Sequence, residues 1–191
     1  MSPEPSQIHP DRVRQTLLSF VDLLERQRAP YMIIGAMAVA MWGQPRATAD
    51  LDFTVLTDSD GLHAIGQEAE RQGFMIDRQW LEWHPLQRDL QIRLATADCL
   101  IDVLRPRDQH QEHAFSRRRA LEVEGRNLWF ASPEDLIVMK LKAGRPHDFE
   151  DALSVLATQR GRLDERYMAD WAARIGVYDE LAYILRGGTV G

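Results

Sequence analysis

Asp50 and Asp52 stand one residue apart in the otherwise apolar run RATADLDFTV (46–55), and a third aspartate, Asp102, lies between Ile101 and Val103 in CLIDVL. On an extended strand, side chains two apart project to the same side. Asp50 and Asp52 then present both carboxylates together, while Leu51 and Phe53 fill the core behind them. Two adjacent carboxylates repel, and a divalent cation between them relieves the cost. Mg²⁺ suits the place, since it takes carboxylate oxygens and keeps other positions for water and substrate phosphates. A bare Asp-x-Asp is more often an exposed strand end with two solvated acids, so its surroundings have to separate the two readings.

Those surroundings favour phosphate chemistry. Gly35 and Ala36 fall where the apolar run YMII meets AMAVAMWG, a strand running into a helix N-terminus. Backbone N–H groups and the helix dipole attract phosphate at such a place. The Asp50/Asp52 strand comes next, after a single helix. Asp102, in a second apolar run, would be expensive to bury unpaired. Three acids on two strands beside a phosphate-accepting turn make a two-metal phosphoryl-transfer site chemically sensible.

The elements that must position these groups are legible in outline. A chain of 191 residues, 45% hydrophobic and 27% charged, is long enough for a real core and has the composition of an ordinary soluble globular protein. No apolar run reaches the roughly 18–20 residues of a membrane span, and MSPEPSQIHPDR has neither the basic start nor the apolar core of an export signal, so the expected address is cytoplasmic. Cys99 is the single cysteine and reads as a small buried hydrophobe. The formal charge of −6 argues against a protein that coats nucleic acid generally.

Periodicity predicts an amphipathic helix over 11–28 ended by Ala29-Pro30, the strand YMII, a helix stopping near Gly43, and the strand DLDFTVL. A helix capped by Asp58, Ser59 or Asp60 and ended by Gly73 follows, then strand-like runs FMIDRQW, LQIRLAT and CLIDVLR. Residues 106–119 read as a polar helix or loop, and ALEVEGRNLWFAS as a hairpin around Gly125-Arg126 with Leu128 and Phe130 on one face. From Ser132 onward helices dominate; SPEDLIVMKLKAG has a capping serine, proline at the first helical position, acids in the first turn and a glycine stop. The expected class is α/β (α+β): a mixed sheet flanked by helices over 1–130, with a C-terminal helical layer over 131–191.

The blocks IIGAMAVAMWGQPRATADLDFTV, LIDVL and SPEDLIVMKLKAGRPHDFEDAL resemble the nucleotidyltransferase superfamily that shares the DNA polymerase beta core. Within it they look like the small prokaryotic branch of AbiEii/MenA-type toxin nucleotidyltransferases, over roughly residues 11–160. The resemblance implies Asp50, Asp52 and Asp102 as ligands of Mg²⁺ or Mn²⁺, with Asp102 helping to activate the attacking hydroxyl. It implies Lys140 and Asp148 as further catalytic residues, and Gly35, Ala36, Arg46, Thr48, Lys140 and Arg145 as the nucleotide-binding set. Where the superfamily often has Gly-Ser this chain has Gly35-Ala36, so a hydroxyl that would touch the triphosphate is missing and backbone donors remain.

The implied reaction moves a nucleoside monophosphate from a nucleoside triphosphate to an acceptor hydroxyl and expels pyrophosphate. A toxin-like enzyme would use a tRNA 3′ end and be held by an antitoxin protein. An antibiotic-modifying type would use a small hydroxylated molecule, and a degenerate domain would bind nucleotide or partner without turnover. Other residues read plainly: Lys142 and the run Arg117–Arg119 as solvated faces, the run doubling as the first phosphate contact if RNA is the acceptor. His84 reads as a loop histidine, Trp42, Trp80 and Trp83 as closures of the core edge, and Asp151 as sharing a helical face with Asp148.

Overall fold

Helical spacing of apolar residues in PDRVRQTLLSFVDLLER buries Val13, Leu17, Phe20, Val21 and Leu24 on one side of α1 (Pro10–Arg26). The computed structural model describes residues 10–187; the N-terminal stretch read for an export signal lies, over residues 1–9, outside them. Strand β1 (Tyr31–Ile34) turns directly into α2 (Gly35–Trp42), and β2 (Asp50–Val55) follows. Helix α3 (Ser59–Arg71) starts on Asp58, whose side chain accepts from the Gly61 N–H.

The run FMIDRQW departs from its strand-like reading. Only β3 (Met75–Ile76) is extended, because the Asp77 carboxylate accepts from the Trp80 N–H and opens a helix instead, α4 (Arg78–Trp83). Strands β4 (Gln91–Ala95) and β5 (Leu100–Leu104) form the expected antiparallel pair. Residues 106–119, open between helix and loop, contain α5 (Gln109–Arg117), capped by Asp108. Strands β6 (Arg119–Val123) and β7 (Arg126–Phe130) form the hairpin. Its turn lies one residue earlier than read, on Glu124-Gly125, with positive φ of 54° and 74° as a two-residue hairpin turn of that hand requires.

Helix α6 (Pro133–Ala143) has the predicted ends, the Ser132 hydroxyl accepting from the Asp135 N–H and Gly144 in the left-handed region at φ 69°. Helices α7 (Pro146–Thr158), α8 (Glu165–Ile175) and α9 (Tyr178–Leu185) complete the described chain. Asp135 is buried, which by itself would raise its carboxyl, yet hydrogen bonds from His110, Ser132 and Tyr167 hold it below the usual range. That carboxylate ties α5 and α8 to the start of α6.

The seven strands make one mixed sheet in the order β3-β4-β5-β2-β1-β7-β6. At its centre β2 runs antiparallel to β1 and parallel to β5. Register places Arg93, Asp102, Asp52 and Ile34 side by side on β4, β5, β2 and β1. The opposite face of β2 carries Leu51 and Phe53, both fully buried. Phe53 meets Phe20 edge to face with ring centroids 5.1 Å apart. Helices α6 and α7 pack against α2. Cys99 is a free, buried thiol, as read, and burial pushes its pKa up. No helix among the described residues is long and apolar enough to cross a membrane.

Because Phe20 is fully buried in this aromatic contact, Phe20→Ala should lower unfolding free energy by about 3–5 kcal/mol, measured by urea denaturation; a loss near zero would show that α1 is not part of the sheet's core.

Candidate active site

The polar side of the sheet opens into a cleft of about 430 Å³ lined by Asp50, Asp52, Asp102, Ala36, Arg46, Thr48, Arg93, Lys140, Arg145, His147 and Asp148. All the expected catalytic, nucleotide-binding and metal residues except Gly35 line this cleft. A larger groove of about 720 Å³, lined from α1 and the β4–β5 turn, holds Asp22 and Asp98 but none of the three aspartates on β2 and β5. The cleft with the acid cluster is where the chemistry can occur.

Asp52 sets the geometry. Its carboxylate lies against the backbone at the β1–α2 junction, where a Cβ built on Gly35 would fall 1.9 Å from Asp52 Oδ2, and Gly35 has φ +64°. Only glycine fits both the conformation and the close approach. No side chain caps α2, so its first N–H groups and positive dipole end face this region. Thr48 proves to be a positioning side chain: its hydroxyl accepts from the Asp50 N–H at 3.0 Å, shaping the entry to β2. Ala36 lines the cleft with a methyl in place of a hydroxyl.

Burial and neighbouring charge both act on Asp52 and Asp50. Burial, then the charges of Asp102 and Asp50, push the Asp52 carboxyl up to about 6, although Lys140 and Arg145 pull the other way. Asp50 is also raised, first by partial burial and then by Asp102, against Arg93 and Arg46.

Opposite them runs a chain of alternating charges. Arg46 donates from Nε and Nη2 to the two Asp151 oxygens at 2.9 and 3.1 Å. Lys140 Nζ donates to Asp151 Oδ2 at 2.7 Å and to Asp148 Oδ1 at 3.0 Å. Arg145 closes the chain with Nε to Asp148 Oδ2 at 2.6 Å and Nη2 to Oδ1 at 3.2 Å. Burial alone would raise Asp148 and Asp151, but these partners hold both carboxyls below the usual range. Lys140 is buried within this array rather than projecting freely, whereas the Arg46 and Arg145 side chains are 46% and 76% exposed at the cleft.

Asp102, expected as the third metal ligand, is paired with an arginine. Both of its oxygens accept from Arg93, Nε to Oδ1 at 2.8 Å and Nη2 to Oδ2 at 2.7 Å. Among the described residues no group of three or more His, Cys, Asp or Glu side chains is gathered as a metal site. Asp50 and Asp52 are the carboxylates that could hold a hard divalent cation; burial first, and then the charge of neighbouring acids, raises both carboxyls. Sequence reasoning missed Arg93, whose alternation in LQIRL pointed only to a half-exposed strand, and His147, which follows Arg145 by two. Asp151 was seen as a neighbour of Asp148 but not as the anchor of Arg46 and Lys140.

The arginine run does not form a solvated face. Arg117 lies over the Tyr167 ring, 3.8 Å from its centroid, and pairs with Glu134 and Asp135. Arg118 lies over Phe115 and Trp129, and Arg119 alone is exposed, on β6. Lys142 is bonded to Asp108. Trp42 behaves as read, its indole donating to the Ala131 carbonyl at 2.8 Å. His84 stacks on Trp80 beyond the end of α4, and Trp83 is 72% exposed rather than closing the core.

This sheet, with a strand–Gly–helix turn facing an Asp-x-Asp strand, is the nucleotidyltransferase architecture. It is similar to the solution structure of antibiotic-resistance factor ANT(2'')-Ia, with TM-score 0.61 and 12% identity over 92% of this chain and 99% of that one. An antigenic nucleotidyltransferase-like protein from Paracoccidioides brasiliensis gives 0.57 and 14% over 91% and 93%. Lincosamide antibiotic adenylyltransferase LnuA, lincomycin-bound, gives 0.55 and 14% over 80% and 99%. At such identities the likeness is one of fold. No curated protein matches the chain in sequence. The chain belongs to the family described as nucleotidyltransferase of unknown function (DUF6036), matched over residues 15–174. It is a nucleotidyltransferase, and a nucleoside triphosphate is its co-substrate.

Two outcomes follow from the charges. The folded Asp52 carboxyl titrates near 6 against an ordinary 3.8. Between those values the folded chain binds more protons than the unfolded, so stability is lost as pH rises through this window. Asp52→Asn should therefore raise the Tm at pH 8 and leave it unchanged below about pH 4; equal shifts at both would refute the assignment. Lys140→Met leaves Asp148 with Arg145 and Asp151 with Arg46, so it should cost toward the lower end of a broken buried pair, about 3 kcal/mol in urea denaturation. A loss below about 1 kcal/mol would mean the array contributes as little as surface pairs do.

Proposed function

We propose that this nucleotidyltransferase moves a nucleoside monophosphate to a hydroxyl of a small acceptor molecule, with Asp50 and Asp52 as its metal-holding pair. The observation that carries the reading is the placement of these two crowded carboxylates against the Gly35 turn, facing the Lys140–Asp148–Arg145 array. Asp50 and Asp52 would hold Mg²⁺ or Mn²⁺, which when bound neutralises triphosphate oxygens and the charge developing on them. The N–H groups at the start of α2, with Ala36, orient the phosphates. Arg46 and Arg145 present the exposed cationic edges to the triphosphate, and Lys140 holds Asp148 and Asp151 so that those edges stay in place. An acceptor oxygen attacks the α-phosphorus, the new P–O bond forms as the bond to the β-phosphate bridge breaks, and pyrophosphate leaves. Asp102 would take the acceptor's proton at a carboxylate oxygen once Arg93 no longer holds it.

A small acceptor is supported by the modest cleft and by the engagement of Arg117 and Arg118 with aromatic rings and acids, which removes the extended basic face that RNA would need. A similar fold in an antibiotic adenylyltransferase with lincomycin bound agrees with this choice. The toxin-type alternative, with a tRNA 3′ end as acceptor and an antitoxin partner, draws support from Arg145, 76% exposed at the cleft. A degenerate binding domain has no use for Asp50 and Asp52 crowded together.

The test incubates the chain with each α-labelled nucleoside triphosphate, Mg²⁺ or Mn²⁺, and either a pool of hydroxylated small molecules or total RNA. Labelled small molecules are expected, with the rate falling at least about 100-fold in Asp52→Ala while circular dichroism stays native. Label on RNA would move the acceptor to tRNA-like substrates. Undiminished transfer by Asp52→Ala would overturn the site.

A further inference from the structure

We propose that the Arg93 guanidinium is a built-in cation at Asp102, competing with the divalent cation for that carboxylate. The inference rests on the reading that Asp50 and Asp52 hold the metal, and goes beyond it by making Arg93 a positioning residue that governs when Asp102 joins them. Its basis is the strand register. Arg93 and Asp102 are directly paired residues of antiparallel β4 and β5, and Asp102 is in turn paired with Asp52 of β2. The guanidinium therefore stands on the far side of Asp102 from Asp52, in one row across the sheet.

The contact is a two-bond fork, 2.8 and 2.7 Å, between side chains only 26% and 17% exposed. Such a fork is among the stronger charge-assisted arrangements and uses both carboxylate oxygens. While it holds, one lone pair on each Asp102 oxygen is committed to Arg93, and the guanidinium charge opposes a metal ion at the positions that remain. The fork nevertheless has a place to yield to. Trp80 of α4 lies beside Arg93, with the guanidinium carbon 5.0 Å from the ring centroid, and Trp80 is itself stacked on His84 at 4.5 Å. An aromatic face retains a guanidinium that has given up its carboxylate. Arg93 thus serves as the local counter-charge of an acid row awaiting a stronger cation.

The experiment is a Mn²⁺ titration of the full chain without nucleotide, followed by the electron paramagnetic resonance signal of free Mn²⁺. Arg93→Ala should bind Mn²⁺ about tenfold more tightly than the unmutated chain, with Arg93→Lys between them. In an Asp102→Asn background the gain should vanish, so that Arg93→Ala/Asp102→Asn matches Asp102→Asn alone. Unchanged or weaker binding by Arg93→Ala, or a gain that persists with Asp102→Asn, would overturn the competition. If Arg93→Ala fails to fold, Arg93→Lys alone decides, because it keeps the charge and loses the fork: tighter binding supports the proposal and unchanged binding refutes it. Asp50→Asn and Asp52→Asn separate the two levels. Mn²⁺ bound through these acids but indifferent to Arg93 sinks only the competition, whereas no Mn²⁺ binding in the unmutated chain sinks the metal reading and the competition together.

Discussion

Asp52 carries a negative charge at a half-buried point of the sheet, with Asp102 beside it on the next strand and Asp50 two residues away on its own. Repulsion among the three has to be tolerated by whatever surrounds them. The fold answers with a glycine that admits the Asp52 carboxylate against the backbone, a helix N-terminus aimed into the same space, and cations on both sides of the row. The cost of burial, and after it of this repulsion, survives as the raised Asp52 carboxyl. A protein selected for stability alone would have removed one of these acids, since crowded carboxylates weaken a fold unless a ligand compensates.

The helices after the sheet are joined to the site by charge as much as by apolar packing. Lys140 of α6 is shared by Asp148 and Asp151 of α7, and Arg46 from the α2–β2 connection reaches Asp151 across 105 residues of chain. Buried charges of this kind contribute less to net stability than apolar contacts of equal size, but removing one partner is expensive. They specify where Arg145 and Arg46 stand relative to Asp50 and Asp52. Packing of α6 and α7 on α2 supplies the stability, and the charge array supplies the register.

Much of this was legible residue by residue. Period-two alternation and the Asp-x-Asp pair identified β2 and its polar side, and the Ser132–Pro133 start and Gly144 stop identified α6, because these signals depend on neighbours within a few positions. The run 74–80 reads as a strand because of its short apolar start, Phe74 to Ile76, while the deciding interaction is a single cap by Asp77. Arg117–Arg119 looked like one basic patch, yet a helix ends between them. Their side chains leave in different directions, two of them onto aromatic rings contributed by distant elements.

By itself the sequence determined the nucleotidyltransferase class, the order of most helices and strands, and the acids and cations available for chemistry, since motif spacing and local capping reside in contiguous residues. Tertiary structure alone decided which charge answers which. Arg93 and Asp102 are nine residues apart and meet only because β4 and β5 pair in one register; a slip of one residue would place them on opposite faces. Lys140 could equally have been a free cation facing phosphate, and became the centre of an array because α7 folds back to set Asp148 and Asp151 beside it. Charge partners chosen across a sheet or between helices depend on three-dimensional register, and no local pattern encodes that.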